Sequence, residues 1–346
     1  MNNGPTVSII TPAYNAAAFL SETMASVVAQ TWPDFEALIV DDNSSDDTLS
    51  IARRWERTDP RIRVFTRPHG GPSASRNTAI AEARGRYIAL LDSDDLWHPT
   101  FLQTQLSVLR DRPTAADVVT GNAYNMGGGL DGQPMNPAGS TCREISLLEI
   151  LERETSVFIM SVFRRTIVDR IGGFDETLPL NEDYDFWIRA AHAGFVFVHN
   201  PMPLGYYRRR PDSMSANELC MVTGIMRVLR QARDLCADRP REVAAIDRQL
   251  ARFEKQRLLV SGKTNLVSRN FSAAADDFDS LFDVRRDVTS AAISRMSRYV
   301  PAMLLWAYRL KRALTWRAKP TVPSARPDSG DVRTFFPAKV HYDDRV

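Results

Sequence analysis

Over the first 120 residues, short runs of apolar and β-branched side chains alternate with stretches of helical spacing. Residues 7–11 predict a strand and 18–30 a helix, and 35–40 predict a second strand that runs into Asp41-Asp42. Residues 47–57 read as a helix, 62–66 as a third strand, 73–83 as a helix, and 87–91 as a strand ending at Asp92. Near-continuous apolar strands separated by helices call for a parallel sheet covered on both faces, a doubly wound α/β arrangement. Beyond about residue 115 the pattern is mixed. Residues 118–125 and 157–163 predict strands around a Gly/Pro-rich loop at 127–139, followed by a helix over 183–193 and a strand over 195–199. From Ser215 to Pro320 helical spacing takes over, with one long helix over 242–260. Residues 270–285 resemble one helical-repeat unit, with Phe271, Ala275, Phe278 and Phe282 spaced for a single face. Three segments result: an α/β unit at 1–214, a helical extension at 215–319 and a poorly ordered tail at 320–346.

The polar clusters follow the strands, at 11–15, 41–47, 67–77 and 92–95. In open α/β sheets ligands bind outside the carboxyl ends of the strands, so four loops are expected to converge on one rim. Asp92-Ser93-Asp94-Asp95 puts three carboxylates within four positions, which repel one another unless a cation or an arginine offsets them. That suits Mg²⁺ or Mn²⁺, hard ions held by one or two carboxylates plus substrate phosphates, although an acidic turn before a helix has the same composition. A second acidic loop, 41–47, lies at the same edge, and its Asp46 and Asp47 read as helix N-caps. His69-Gly70-Gly71-Pro72-Ser73, with Arg76-Asn77 behind it, offers backbone amides and a guanidinium for a diphosphate. Asp183 opens a helix, where an acid also complements the dipole.

Charge divides the chain. Residues 1–214 hold 20 Lys+Arg against 27 Asp+Glu and contain no lysine, whereas 215–346 hold 24 against 15. An acidic, Asp-rich unit fits a divalent cation, and a basic one fits an anionic surface. Cys142, Cys220 and Cys236 form neither a disulfide framework nor a zinc cluster, which points to a reducing, cytoplasmic setting. No secretory signal and no membrane-spanning run is expected. A Rossmann dehydrogenase is excluded because the first turn is Thr11-Pro12-Ala13-Tyr14-Asn15 rather than Gly-x-Gly-x-x-Gly. A nucleotidyltransferase would need a Gly-rich first loop with a basic residue, also absent.

Val7-Ser8-Ile9-Ile10-Thr11-Pro12-Ala13-Tyr14-Asn15, Val40-Asp41-Asp42-Asn43-Ser44, Ser75-Arg76-Asn77, Leu91-Asp92-Ser93-Asp94-Asp95 and Glu182-Asp183 occur in that order. Over roughly residues 5–210 the chain resembles the family-2 glycosyltransferases of the GT-A fold. The resemblance implies that Pro12, Tyr14 and Asn15 lie against a nucleoside and that Asp42 accepts the N3–H of uracil or thymine. It places Arg76 beside the diphosphate, Asp92 with Ser93 at the ribose–diphosphate region, and Asp94 on a Mn²⁺ or Mg²⁺ ion. Asp183 becomes the general base, a step worth about 10²–10⁴-fold, and a single displacement inverts the anomeric centre. Gly173, Phe174 and Asp175, with Glu182 and Trp187, fall on the acceptor side. The processive members carry Gln-x-x-Arg-Trp and membrane spans. The nearest piece here is Phe186-Trp187-Ile188-Arg189, so a single addition follows.

The implied substrates are a nucleotide-sugar, UDP-linked in first place with dTDP and then GDP behind it, and a saccharide or lipid-linked saccharide acceptor. The implied setting is the synthesis of cell-surface polysaccharide, lipopolysaccharide or glycolipid. A non-catalytic scaffold of the same fold, binding partners through its helical part, is the rival reading. In the extension, residues 299–308 are apolar and aromatic between basic flanks, Arg295 and Arg298 on one side and Arg309, Lys311, Arg312, Arg317 and Lys319 on the other. Residues 295–319 therefore fit either a helix on anionic lipid or a core helix with snorkelling arginines. No recognised motif accompanies the charge, so nucleic acid is not an expected partner.

Overall fold

The structure is a computed structural model and describes residues 4–111, 116–127, 129–139, 141–286 and 288–317. The predicted tail, 320–346, lies outside the described residues.

The first half alternates as expected: β1 (Val7–Ala13), α1 (Leu20–Val28), β2 (Phe35–Asp41), α2 (Thr48–Thr58), β3 (Ile62–Thr66), α3 (Gly71–Glu82) and β4 (Tyr87–Leu90). β1 pairs with β2 and β4, and β2 with β3, all in parallel, with Val7 opposite Phe35 and Tyr87. β2 is buried at every position and β1 at all but Pro12. Both faces of the sheet centre are thus covered, which is why these strands read as near-continuous apolar runs.

The remaining elements are β5 (Leu96–Trp97), α4 (Phe101–Asp111), β6 (Val118–Met126), β7 (Arg143–Ile145), α5 (Leu147–Glu152), β8 (Ser161–Arg164), α6 (Thr166–Ile171), α7 (Glu182–His192) and β9 (Phe197–Arg208). Among the described residues the sheet order is β3-β2-β1-β4-β8-β6-β9-β5, with β7 on β9. β8 runs antiparallel to β4 and β6, and β5 antiparallel to β9, so a parallel half adjoins a mixed half. This mostly parallel α/β sheet with helices behind it is the GT-A arrangement.

Two differences from the pattern reading bear on the site. The run predicted as a strand over 157–163 enters the sheet only at Ser161. Its first residues are held extended instead by Thr120, whose hydroxyl accepts the Phe158 N–H at 2.7 Å, and Val157, Phe158 and Ile159 line a cleft. The strand predicted over 195–199 continues to Arg208 despite Pro201 and Pro203. The register shifts around Asn122, whose side-chain amide donates to the Pro201 carbonyl at 3.1 Å, so the prolines fall where ladder bonds are already broken. That extension carries Tyr207 and three arginines back to the rim.

Helices follow: α8 (Glu218–Leu235), α9 (Pro240–Val267), α10 (Phe271–Arg285), α11 (Val288–Tyr299) and α12 (Pro301–Arg317). Val222, Ile225, Met226, Val228 and Leu229 of α8 and Ile246 and Phe253 of α9 join the same apolar core as the sheet. The far half of α9 turns to a second core, where Leu258 and Leu266 meet Ala274, Phe278, Leu281 and Leu305. No helix among the described residues is long and apolar enough to cross a membrane.

Candidate functional site

The loops after β1, β2, β3 and β4 meet over one cleft of about 1460 Å³. Pro12, Tyr14, Asn15, Asp42, Arg76, Asp92, Ser93, Asp94, Glu182 and Asp183 all line it.

The first two loops are stitched together. Asn15, in the left-handed region at φ 47°, accepts the Ser45 N–H at 2.8 Å and donates its own N–H to Ser44 at 3.0 Å. The Asp46 carboxylate accepts the N–H groups of Ala17 and Thr48, at 3.1 and 3.0 Å. Asp47, expected to cap α2 alongside Asp46, makes no side-chain cap bond. Asp46 takes that work because its carboxylate reaches both loops.

Asp42 is buried. Its carboxylate accepts Arg67 Nη1 at 2.7 Å and the N–H groups of Gly70 and Gly71, the latter at 2.8 Å, and His69 Nδ1 lies 2.9 Å from Oδ2. The amides that the Gly-rich loop was expected to offer a phosphate are therefore turned to Asp42, which closes the entrance to α3. Tyr14 and His69 rings sit 4.5 Å apart and tilted above this loop, both open to solvent. Two flat exposed rings thus stand beside a buried carboxylate at the rim of the cleft.

Arg76 differs most from the sequence expectation. It lines the cleft but is almost wholly buried, with both arms engaged inside the protein, donating through Nη2 to Asp92 at 2.8 Å and through Nη1 to Glu182. Burial opposes its charge, but Asp92 and Glu182 hold the guanidinium above its usual pKa. Its plane faces the Phe174 ring at 5.5 Å. The cation thus ties the strand end of β4 to the start of α7.

Asp94 accepts Arg210 Nη1 at 3.0 Å, and burial together with the neighbouring Asp92 charge pushes its pKa up. Asp95 is fully buried, pushed well up by burial and its two acidic neighbours, and accepts the Arg208 N–H at 2.8 Å. Asp95 therefore ties the turn to β9, while Asp92 and Asp94 face the cleft. Two adjacent carboxylates facing one cleft, with the Asp92 charge opposing ionisation of Asp94, fit a divalent cation, which would relieve their repulsion. No group of three or more His, Cys, Asp or Glu among the described residues could hold a metal unaided. An ion here would complete its shell with phosphate oxygens and water.

Asp183 stands in the first turn of α7, partly exposed to the cleft. Burial and the adjacent Glu182 push its pKa up to about 7, against the pull of Arg76 and the Tyr184 N–H. A carboxylate of that pKa is suited to proton transfer near neutral pH.

The acceptor-side expectations fare differently. Gly173, Phe174, Asp175 and Trp187 do not line the cleft. Asn77 explains the loop: it accepts the Phe174 N–H at 2.8 Å and donates to its carbonyl at 2.9 Å. A Cβ on Gly173 would lie 2.3 Å from Asn77 Oδ1. Phe174 stacks on Phe186 at 4.6 Å and so props Arg76 from behind. Trp187 is buried in the core, edge-on to Phe163 and Phe197. The wall next to Asp183 is instead formed by residues 176–181.

Sequence reasoning missed the residues that close the cleft. Arg208 and Arg210 hold the Phe19 ring between them, at 4.9 and 4.7 Å, and Arg208 Nε also donates to the Asp94 carbonyl at 2.8 Å. Three arginines in a row after two tyrosines were a readable signal, lost because the strand was ended at residue 199. Met221, Val222, Ile225 and Arg227 of α8 and Arg252, Phe253 and Gln256 of α9 supply the far wall. No motif marks them.

The family model described as glycosyl transferase family 2 matches residues 8–172. A Bacillus subtilis protein assigned by name to teichuronic acid biosynthesis, the glycosyltransferase TuaG, is 32% identical over 62% of this chain and 83% of its own length. The hyaluronan synthase of Pasteurella multocida is 31% identical over 56% of this chain, but that match spans only 19% of the synthase. Among solved structures, TarS 1-349 of S. aureus in complex with UDP-GlcNAc superposes with a TM-score of 0.61 at 21% identity, covering 90% of this chain and 89% of that one. The mannosyltransferase PcManGT of Pyrobaculum calidifontis, in complex with GDP-Man and Mn²⁺, gives 0.56 at 18% identity, covering 91% and 88%.

Proposed function

The chain belongs to glycosyl transferase family 2, and from that membership we propose that it moves a single sugar from a nucleotide-sugar to an acceptor hydroxyl with inversion. The observation that carries this reading is the meeting, in one cleft, of the Tyr14–His69–Asp42 group, the Asp92–Asp94 pair and the partly exposed Asp183. The nucleobase lies against Pro12 and Tyr14, with its N3–H toward Asp42. That edge is shared by uracil and thymine, and the UDP-GlcNAc held by TarS, a neighbour in fold, favours UDP.

Asp94, with Asp92 and Ser93 beside it, would hold Mn²⁺ or Mg²⁺, which would supply positive charge to a departing nucleoside diphosphate. Arg210, on the same carboxylate, adds a second cation, and the Phe19 stack fixes its direction. Arg76 touches no substrate in this reading. It sets the spacing between Asp92 and Glu182, and so the distance from the leaving group to the base. Asp183 takes the proton of the acceptor hydroxyl as that oxygen attacks the anomeric carbon from the face opposite the leaving group. With its pKa pushed up to about 7, its ionised form is a base matched to neutral pH, taking that proton as the new C–O bond forms.

The wall from residues 176–181, α8 and α9 receives the acceptor, a saccharide or a lipid-linked saccharide. The naming of TuaG and of the hyaluronan and chondroitin synthases favours a cell-envelope polysaccharide setting. Titration calorimetry with UDP, dTDP and GDP, with Mn²⁺ and with chelator, tests the donor half. Metal-dependent binding of UDP, lost in Asp94→Ala, is expected. No nucleotide binding under any condition would overturn the reading.

A further inference from the structure

Five of the twelve exposed large hydrophobic side chains among the described residues fall between 299 and 310. Tyr299 is 78% exposed, Met303 52%, Trp306 64% and Leu310 45%, with Val300 beside them. Met303, Trp306 and Leu310 are spaced by three and four along α12, so they form one stripe, and Tyr299 and Val300 extend it at the corner between α11 and α12. The other side of α12 is used: Leu305 is buried in the second apolar core, with Leu304 and Tyr308 packed against it. The core requirement is thus met by the inner face and leaves the outer stripe unexplained. A contiguous apolar group of this kind on a surface marks an interaction site.

Its surroundings identify the partner. Arg295 in α11 and Arg309 in α12 are exposed, and Arg298 is paired with Asp279 and, at 3.4 Å, with Asp276. The sequence continues with Lys311, Arg312 and Arg317 in the same helix, and residues 215–346 hold 24 Lys+Arg against 15 Asp+Glu. Aromatic and aliphatic side chains on one face, with arginines in the same two helices, match the boundary between acyl chains and anionic headgroups.

We propose that the outer face of α12, with the α11–α12 corner, docks this protein on an anionic lipid surface. The helix lies on that surface without crossing it. α9 joins the two regions. Its Arg252, Phe253 and Gln256 line the cleft, while Leu258 and Leu266 belong to the core under α12. At 1.5 Å per residue, Gln256 and Leu266 are about 15 Å apart along the helix axis. Docking by α12 would therefore attach the lipid surface through the same helix that forms one wall of the cleft.

The test is co-sedimentation of the full chain with vesicles of phosphatidylcholine alone or with added phosphatidylglycerol, and it needs neither donor nor acceptor. The wild type is expected to pellet with the anionic vesicles at low salt, to dissociate as salt rises, and to bind neutral vesicles little. The triple variant Met303→Ser/Trp306→Ser/Leu310→Ser is expected to lose at least about tenfold in apparent partitioning. Arg295→Glu/Arg309→Glu is expected to lose anionic-vesicle binding preferentially. Circular dichroism and the melting temperature report whether either variant remains folded. Failure of the wild type to bind, or equal binding by both folded variants, would overturn the proposal. So would a wild-type dimer that the triple variant converts to monomer without any lipid binding, since the stripe would then cover a second copy.

Discussion

Replacing Arg76 by Met separates two accounts of one residue. If Arg76 holds the diphosphate, its loss weakens nucleotide binding and leaves the fold untouched. In the structure its two arms are taken by Asp92 and Glu182, and its side chain is only 4% exposed. Removing one partner of a buried ion pair typically destabilises by about 3–5 kcal/mol, because the remaining charge is left uncompensated. Glu182 is nearly as enclosed as Arg76, so its arm carries most of that loss, whereas Asp92 is 30% exposed and rehydrates. Domains of 150–250 residues lose roughly 2–4 °C of melting temperature per kcal/mol, which predicts a fall of about 10 °C. Arg76 also lowers the Asp183 pKa, so the midpoint of the pH–rate profile should move above 7 in the variant. Differential scanning calorimetry and activity from pH 5.5 to 9 read both effects. An unchanged melting temperature with a large loss of UDP affinity would refute the bridge and return Arg76 to the ligand.

Asp183→Asn should abolish transfer while raising stability. A carboxyl with its native pKa raised from 3.8 to about 7 holds its proton more tightly folded than unfolded, so its ionisation increasingly opposes folding as pH rises across that interval. The melting-temperature advantage of Asp183→Asn should therefore be absent below pH 4, grow to about pH 7 and stay flat above; a pH-independent difference would contradict the burial of this group. Trp187→Ala should cost about 3–5 kcal/mol in denaturant unfolding and leave acceptor KM unchanged at low temperature, because the ring packs on Phe163 and Phe197 and not on the cleft.

What could be read in advance follows from the range of the forces involved. β1, β2 and β4 were legible because these buried strands are mostly apolar, and acidic turns mark the ends of β2 and β4; β3, at the sheet edge, was legible from its alternating burial. α4 was overlooked although Phe101, Leu102, Leu106 and Leu109 carry its spacing. The mixed half was harder. β9 contains two prolines, tolerated only because a distant residue, Asn122, takes up the broken register. The partners of Arg76 lie 16 and 106 positions away, and those of Asp42 up to 29, so no local window could tell a ligand contact from an internal one. Trp187 was placed on the acceptor side by the resemblance, whereas the packing of Phe163 in β8 and Phe197 in β9 against its ring makes it part of the core.

The central claim is inverting transfer with Asp183 as base, and the most direct measurement is the stereochemistry of turnover. Purified chain with Mn²⁺, a panel of UDP-sugars and saccharide acceptors would be followed by UDP release, with the product's anomeric configuration read by NMR. The account predicts that one UDP-sugar is consumed, that the new linkage has the configuration opposite to the donor's, and that Asp183→Asn slows release by at least about 10²-fold while still binding UDP. A product that retains the donor's configuration, or an Asp183→Asn variant as fast as the wild type, would contradict it.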